Sequence, residues 1–245
     1  MSLRAGLLIA YDGSVALGRT GGTIATRLLL LVVGGAAGCV GSPVPEPPNV
    51  EPVDLVDVFY DDPIDPMAGG IKAGPGSLET DREIWLWNLD QIEEQGWAAV
   101  ETDGSFEVDV RFVPGDEVRF QVRTDEGRSA PVDGVAQDLV FVEPDRSNCV
   151  TVPLELDLAG RPEATFEVRN DCGEAVELLD VRWRVGEPVL SFSAPAPGPI
   201  AAGEAPGVRV LTSQHSLDVE DILFVELEIG GLSERFPVSV YTEDP

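Results

Sequence analysis

The segment Ser105-Phe106-Glu107-Val108-Asp109-Val110-Arg111-Phe112 alternates apolar and polar residues without a break from Phe106 onward. That period of two places Phe106, Val108, Val110 and Phe112 on one face of an extended strand, which no helix would do. Val118-Arg119-Phe120-Gln121-Val122-Arg123 alternates likewise, and Glu83-Ile84-Trp85-Leu86-Trp87-Asn88 reads as a further strand. Asp103-Gly104 and Pro114-Gly115-Asp116 supply turns between them, and Asp125-Glu126-Gly127-Arg128-Ser129 closes or leaves the last hairpin. Beyond residue 143 the pattern continues, with strands predicted at 150–158, 164–170, 176–185, 208–212, 222–229 and 235–241. Loops carrying Gly160, Gly186, Pro195-Ala196-Pro197-Gly198-Pro199, Gly203 and Gly230-Gly231 separate them. Many short strands with Gly and Pro turns predict an all-β chain built as sandwiches. The length suggests two small domains, placed at residues 53–142 and 143–245.

The turn residues carry a more specific likeness. Gly74-Pro75-Gly76-Ser77, the strand at 84–88, Thr102-Asp103-Gly104-Ser105-Phe106, Pro114-Gly115-Asp116 and Asp125-Glu126-Gly127-Arg128-Ser129 follow one another as in bacterial immunoglobulin-like domains, which residues 53–142 therefore resemble. The resemblance implies an immunoglobulin-like β-sandwich and says little about a ligand. Gln91-Ile92-Glu93-Glu94-Gln95-Gly96-Trp97 departs from it, as a loop longer than the usual one. In the second domain Phe166-Glu167-Val168-Arg169-Asn170 followed by Val176-Glu177-Leu178 is similar to an edge of the same kind of module, over about half its length.

The amino-terminal region points to export. Arg27 precedes an apolar or small-residue stretch at 28–38, which ends in Ala36-Ala37-Gly38 directly before Cys39. This stretch is too short for a bilayer-spanning helix, which needs about 20 apolar residues, but it suits a secretion signal. Ala36-Ala37-Gly38-Cys39 resembles the lipobox of a bacterial lipoprotein, with Ala36 where that family most often has Leu. The resemblance implies that residues 1–38 are removed and that Cys39 becomes the lipid attachment site; two or more acyl chains give stable anchoring. A plain cleaved secretion signal is the alternative. Asp12 and Gly18-Arg19-Thr20-Gly21-Gly22 suit a signal poorly, so translation is expected to start downstream, near Val15 or Leu17. Val40 after the cysteine, rather than Asp, implies the outer membrane by the family's sorting rule. Residues 39–52 form a linker in which Pro43, Pro45, Pro47, Pro48 and Pro52 favour an extended, semi-rigid spacer.

Charge narrows the partners. The chain holds 16 basic and 44 acidic residues, a net charge of −28. Nucleic acid is excluded as a partner because phosphate contacts need a basic footprint. Anionic headgroups would repel such a chain, so contact with a membrane has to run through the covalent lipid. With Cys39 acylated, Cys149 and Cys172 remain as a pair. They are equidistant from the centre of a hairpin folded between Gly160 and Arg161, so antiparallel pairing would set them face to face within disulfide reach. Two separately buried thiols are the alternative.

Candidate chemistry is sparse. His215 is the single histidine, in the polar stretch Ser213-Gln214-His215-Ser216, and no nucleophile elbow or phosphate loop accompanies it. The acidic groups Asp61-Asp62 with Asp65, Glu101 with Asp103, and Asp218 with Glu220-Asp221 lack the spacing that wraps a calcium ion. No catalytic, cofactor or metal residue is therefore assigned. Trp85 and Trp87 share one face of their strand, opposite Ile84 and Leu86. Exposed, they and Trp97 would form a ligand platform suited to sugar rings or cover a partner domain; the alternative is that both faces are covered, with Trp97 and its loop folding over the outer one. The expected function is that of a non-enzymatic, lipid-anchored envelope protein acting structurally or adhesively on an envelope protein or polysaccharide. The alternative is a carbohydrate-binding module using the tryptophans.

Overall fold

The computed structural model describes residues 50–60, 70–214 and 218–242. The signal-like segment, Cys39, most of the Pro-rich linker, Asp61, Asp62, Asp65 and His215 lie outside the described residues. The described chain is almost wholly β, with one short 3-10 turn at Leu55–Asp57.

Nine strands make up the first half. They are β1 (Val58–Tyr60), β2 (Gly70–Ala73), β3 (Glu83–Asn88), β4 (Gln95–Ala99), β5 (Phe106–Asp109), β6 (Glu117–Thr124), β7 (Gly127–Arg128), β8 (Val132–Gln137) and β9 (Val140–Val142). They form a single sheet of order β4-β3-β6-β8-β9-β1-β2-β5, with β7 paired to β6. The sheet curls until its ends approach one another. A Cβ on Gly96 in β4 would lie 2.8 Å from the Val110 side chain and 2.9 Å from that of Val108, beside β5. The alternation read from the sequence sets the core: Phe106, Val108, Val110, Phe112, Val118, Phe120, Val122, Ile84 and Leu86 are all buried in it. Gln91-Ile92-Glu93-Glu94-Gln95-Gly96-Trp97 is not simply a long loop. Its last three residues begin β4, because Asn88 N–H donates to Glu94 O and returns the chain alongside β3.

The turn expected at Asp103-Gly104 is present and tightly held. Gly76 N–H donates to Asp103 O and Leu78 N–H to Gly104 O. Gly104 has φ +85°, and a Cβ there would meet Leu78 O at 2.4 Å. Left-handed backbone costs a non-glycine residue about 1–2 kcal/mol, and the clash with a main-chain oxygen adds to that. Gly104→Ala is expected to lower unfolding free energy by at least about 2 kcal/mol, measured by urea denaturation; a loss under half that would show that the 74–78 segment yields.

The second half holds β10 (Val150–Thr151), β11 (Glu155–Asp157), β12 (Glu163–Glu167), β13 (Arg169–Asn170), β14 (Val176–Trp183), β15 (Leu190–Ser193), β16 (Gly198–Ile200), β17 (Gly207–Thr212), β18 (Val219–Ile229) and β19 (Leu232–Thr242). A five-stranded sheet β11-β19-β18-β14-β16 and a three-stranded sheet β12-β17-β15 enclose a second core that includes Phe166, Val208, Val210, Leu223, Val225, Leu227 and Val238. The long β18–β19 hairpin turns on Gly230-Gly231, both at positive φ, as a two-residue hairpin turn requires.

The hairpin expected between 150–158 and 164–170 is replaced by something else. Residues 150–158 break into two strands in different sheets: β10 pairs β13, whereas β11 runs parallel to β19. The β10–β13 register, Val150↔Asn170 and Thr151↔Arg169, is centred on Gly160 itself, half a residue from the predicted centre. Cys149 is nonetheless joined to Cys172, with Cα atoms 4.8 Å apart. Asp171 N–H donates to Cys149 O, and the Asn170 side chain then accepts from Cys172 N–H. That local turn, rather than a continuous ladder, brings the second sulfur back to the first.

Candidate functional site

The site begins with the outward residues of β3 and β6. Because side chains alternate across a strand, burying Ile84, Leu86, Val118, Phe120 and Val122 turns Trp85, Trp87, Arg119, Gln121 and Arg123 to the opposite face. That face is not left to solvent: the second half packs on much of it. Trp87 and Leu89 join Ile222 and Phe224 of β18 in a third apolar cluster, with Trp85 at its margin.

Around this cluster lies a buried network of charges. Arg119, fully buried, forms a paired contact with Asp133, Nε to Oδ1 at 2.7 Å and Nη2 to Oδ2 at 2.9 Å. Its remaining donors cross to the second half, to Ser239 Oγ at 2.9 Å, Pro237 O at 2.7 Å and Leu154 O at 3.2 Å. Arg146, in the connection between the halves, binds Asp133, Glu117 and Arg235 O. Arg235 of β19 reaches back to Glu117, Asp90 and Leu89 O. Arg184 donates to Asn88 O, Gln91 O and Glu94 O, fixing the β3–β4 turn. Burial pushes the Glu117 carboxyl above its ordinary value, more than Arg146 and Arg235 pull it down. Burial would raise Asp133 as well, but Arg119 and Arg146 outweigh it and hold that carboxyl low.

Where the second half stops, an aromatic ledge emerges. Trp97 of β4 lies directly across from Trp85 in register, their rings stacked 6.0 Å apart at 18°. Trp85 stacks in turn on Trp87 at 6.1 Å. On the β6 side, the Arg123 guanidinium sits 4.1 Å from the Trp85 ring centre, and the Trp85 indole N–H donates to Glu83 Oε2 at 3.0 Å. Of the three tryptophans singled out in the sequence, Trp87 is 6 % exposed, Trp85 half-buried and Trp97 57 % exposed. A surface built from all three therefore presents mainly Trp97 and the margin of Trp85.

Beside Trp85 runs an open groove of about 460 Å³ lined by Glu83, Arg123, Thr124, Asp125, Glu126, Arg128 and Asp218, among others. Its two cations are already engaged. Arg123 and Arg128 both bind Glu220, and Arg128 covers the Tyr241 ring at 3.8 Å. Two other acidic residues noted in the sequence, Asp103 and Asp221, serve the backbone. Asp103 accepts from Ser105 N–H and Oγ–H, which holds its carboxyl below the ordinary range. Asp221 accepts from the Val185, Gly186 and Glu187 N–H groups. Among the described residues no group of three or more His, Cys, Asp or Glu side chains is disposed to hold a metal ion.

The arginines of the network were not singled out from the sequence, and Asp218 and Glu126 were noted there only in an acidic grouping without calcium spacing and in a turn. The usable signal was the placing of Arg119 and Arg123 beside the outward tryptophans, in a chain with only 16 basic residues.

No protein-family model matches this chain, and no curated protein matches it in sequence. Among solved structures it is similar to the VesB protease of Vibrio cholerae, at TM-score 0.35 and 16 % identity, over 70 % of this chain and 66 % of the protease. It is also similar to the BSP domain of a biofilm-associated protein (TM-score 0.21, 11 % identity, 80 % of this chain and 29 % of that one). The D0-D1 domain of intimin is a third (TM-score 0.24, 12 % identity, 71 % and 89 %). The scores are low, and no activity or ligand is carried over from any of these proteins. The strands and sheets themselves define the class, an all-β protein with sandwich-like sheets.

Proposed function

We propose that this chain is a non-enzymatic envelope protein, exported and held at a membrane by lipid on Cys39, in which two immunoglobulin-like β-sandwich domains act as a structural or adhesive module. The observation that carries the exported part is the Cys149–Cys172 disulfide, since such bonds persist in oxidising compartments outside the cytosol. The rigid part is supported by the buried network of Arg119, Asp133, Arg146, Glu117 and Arg235, which ties one half to the other. A module so fixed transmits force and presents its loops in a set orientation. The outer membrane is the proposed location, reached through the signal-like segment and the Pro-rich spacer.

Metabolic labelling with a fatty-acid analogue tests the anchor. The wild-type chain is expected to incorporate label and partition with membranes, and Cys39→Ser to lose both. Equal membrane partitioning of the unlabelled Cys39→Ser protein would defeat the reading.

A second reading has its own observation. Trp97 keeps its ring exposed while it stacks on the half-buried Trp85, which favours a carbohydrate-binding surface beside the groove.

A further inference from the structure

We propose that the Trp97 ledge, together with the groove that adjoins it at Trp85, takes a neutral or amino-bearing saccharide chain and rejects an acidic one. This rests on the carbohydrate reading and names the class of sugar. The aromatic floor comes first. Trp97 rests on Trp85, whose far side is covered by Arg123 and whose N–H is tied to Glu83. An exposed ring on so fixed a base costs little ordering when the apolar face of a pyranose stacks on it. The indole N–H of Trp97 makes no hydrogen bond among the described residues and remains a donor for a sugar hydroxyl. The groove adjoins this floor at Trp85, the ring under Trp97, and is lined further by Glu83 and by Asp218 of the second half, a place where two halves meet and ligand sites commonly form.

Charge then selects among sugars. Glu83, Asp125, Glu126 and Asp218 line the groove, and the last three are exposed. The two guanidiniums present, Arg123 and Arg128, share the carboxylate of Glu220 and are not free to meet a uronate or sialate. Carboxylates accept hydrogen bonds from hydroxyls and ammonium groups, but repel another carboxylate. Neutral and amino sugars fit that lining; acidic ones do not.

The test is titration of the full chain with four probes: oligomers of N-acetylglucosamine, their deacetylated amino counterparts, oligogalacturonate, and a Lys-rich peptide. Binding is read by calorimetry and by tryptophan fluorescence. The first two are expected to bind, with affinity falling about tenfold or more in Trp97→Ala and recovering in part in Trp97→Phe. Oligogalacturonate is expected to bind only after Asp125→Lys with Glu126→Lys. Trp97 and these turn residues are exposed or half-buried, and an unchanged urea midpoint shows that each variant folds. Trp97-dependent binding of oligogalacturonate to the unaltered chain would overturn the charge selection while leaving the carbohydrate reading standing. No saccharide binding sensitive to Trp97→Ala, or binding of a Lys-rich peptide alone, would overturn both.

Discussion

Arg119→Ala is expected to destabilise the protein by about 3–5 kcal/mol, the largest effect of any single substitution considered. Removing the guanidinium leaves Asp133 charged and buried with Arg146 as its remaining cation, and strips donors from Pro237 O, Leu154 O and Ser239. The loss reflects an abandoned charge more than the worth of the pair. Replacing both partners by apolar residues, Arg119→Met with Asp133→Leu, should therefore recover much of it. Equilibrium urea denaturation of the three variants checks this. A double variant no better than Arg119→Ala would mean that the cross-half hydrogen bonds, not the charge, dominate.

The same network fixes how stability follows pH, and its two carboxylates act in opposite senses. Asp133 is held below its ordinary value of 3.8. Its contribution is present above that value and is lost as pH falls through its folded one. Glu117 is raised above its ordinary value of 4.5. Its contribution is fully present below 4.5 and lost as pH rises through its folded value. Acidification from neutral pH also relieves the repulsion of a chain at net −28. The urea midpoint should thus hold or rise as pH is lowered towards the mid-4s and fall only below 3.8. In Asp133→Asn that acid decline should shrink. A steady loss of stability beginning near pH 6 would contradict this assignment.

The inward half of each strand was legible in the sequence and the outward half was not. Phe106, Val108, Val110 and Phe112 declare their face by alternation, and that face is the core. Arg119 and Trp87 sit at outward positions, where alternation reads the same whether water or another part of the chain covers them. Only the arrival of β18 and β19 decides that they are buried, and that contact joins residues more than a hundred positions apart. The parallel pairing of β11 with β19 was hidden for the same reason: no local signal in Glu155–Asp157 distinguishes it from a hairpin arm. For the ledge, the sequence placed Trp85 and Trp87 on a common face, but the exposure of Trp97 depends on where the second half ends.

Loss of the disulfide, through Cys149→Ala with Cys172→Ala, is expected to cost about 3.5 kcal/mol in the chain-entropy description. The cysteines are 23 residues apart, and the closed loop contains β10 to β13, whose members enter three different sheets. Without the bond, the unfolded chain regains freedom over that whole segment. The folded state keeps Asp171 N–H on Cys149 O and the Asn170 side chain on the Glu174 and Ile200 carbonyls, so the local turn should survive and the fold be retained at lower stability. Hydrogen exchange should then rise most in β10, β13 and the segment around Asn170, with Arg119 and its partners still protected. If exchange instead rose uniformly in both halves, the bond would have to be supporting the interface as well as its own loop, and the two halves would unfold as one unit.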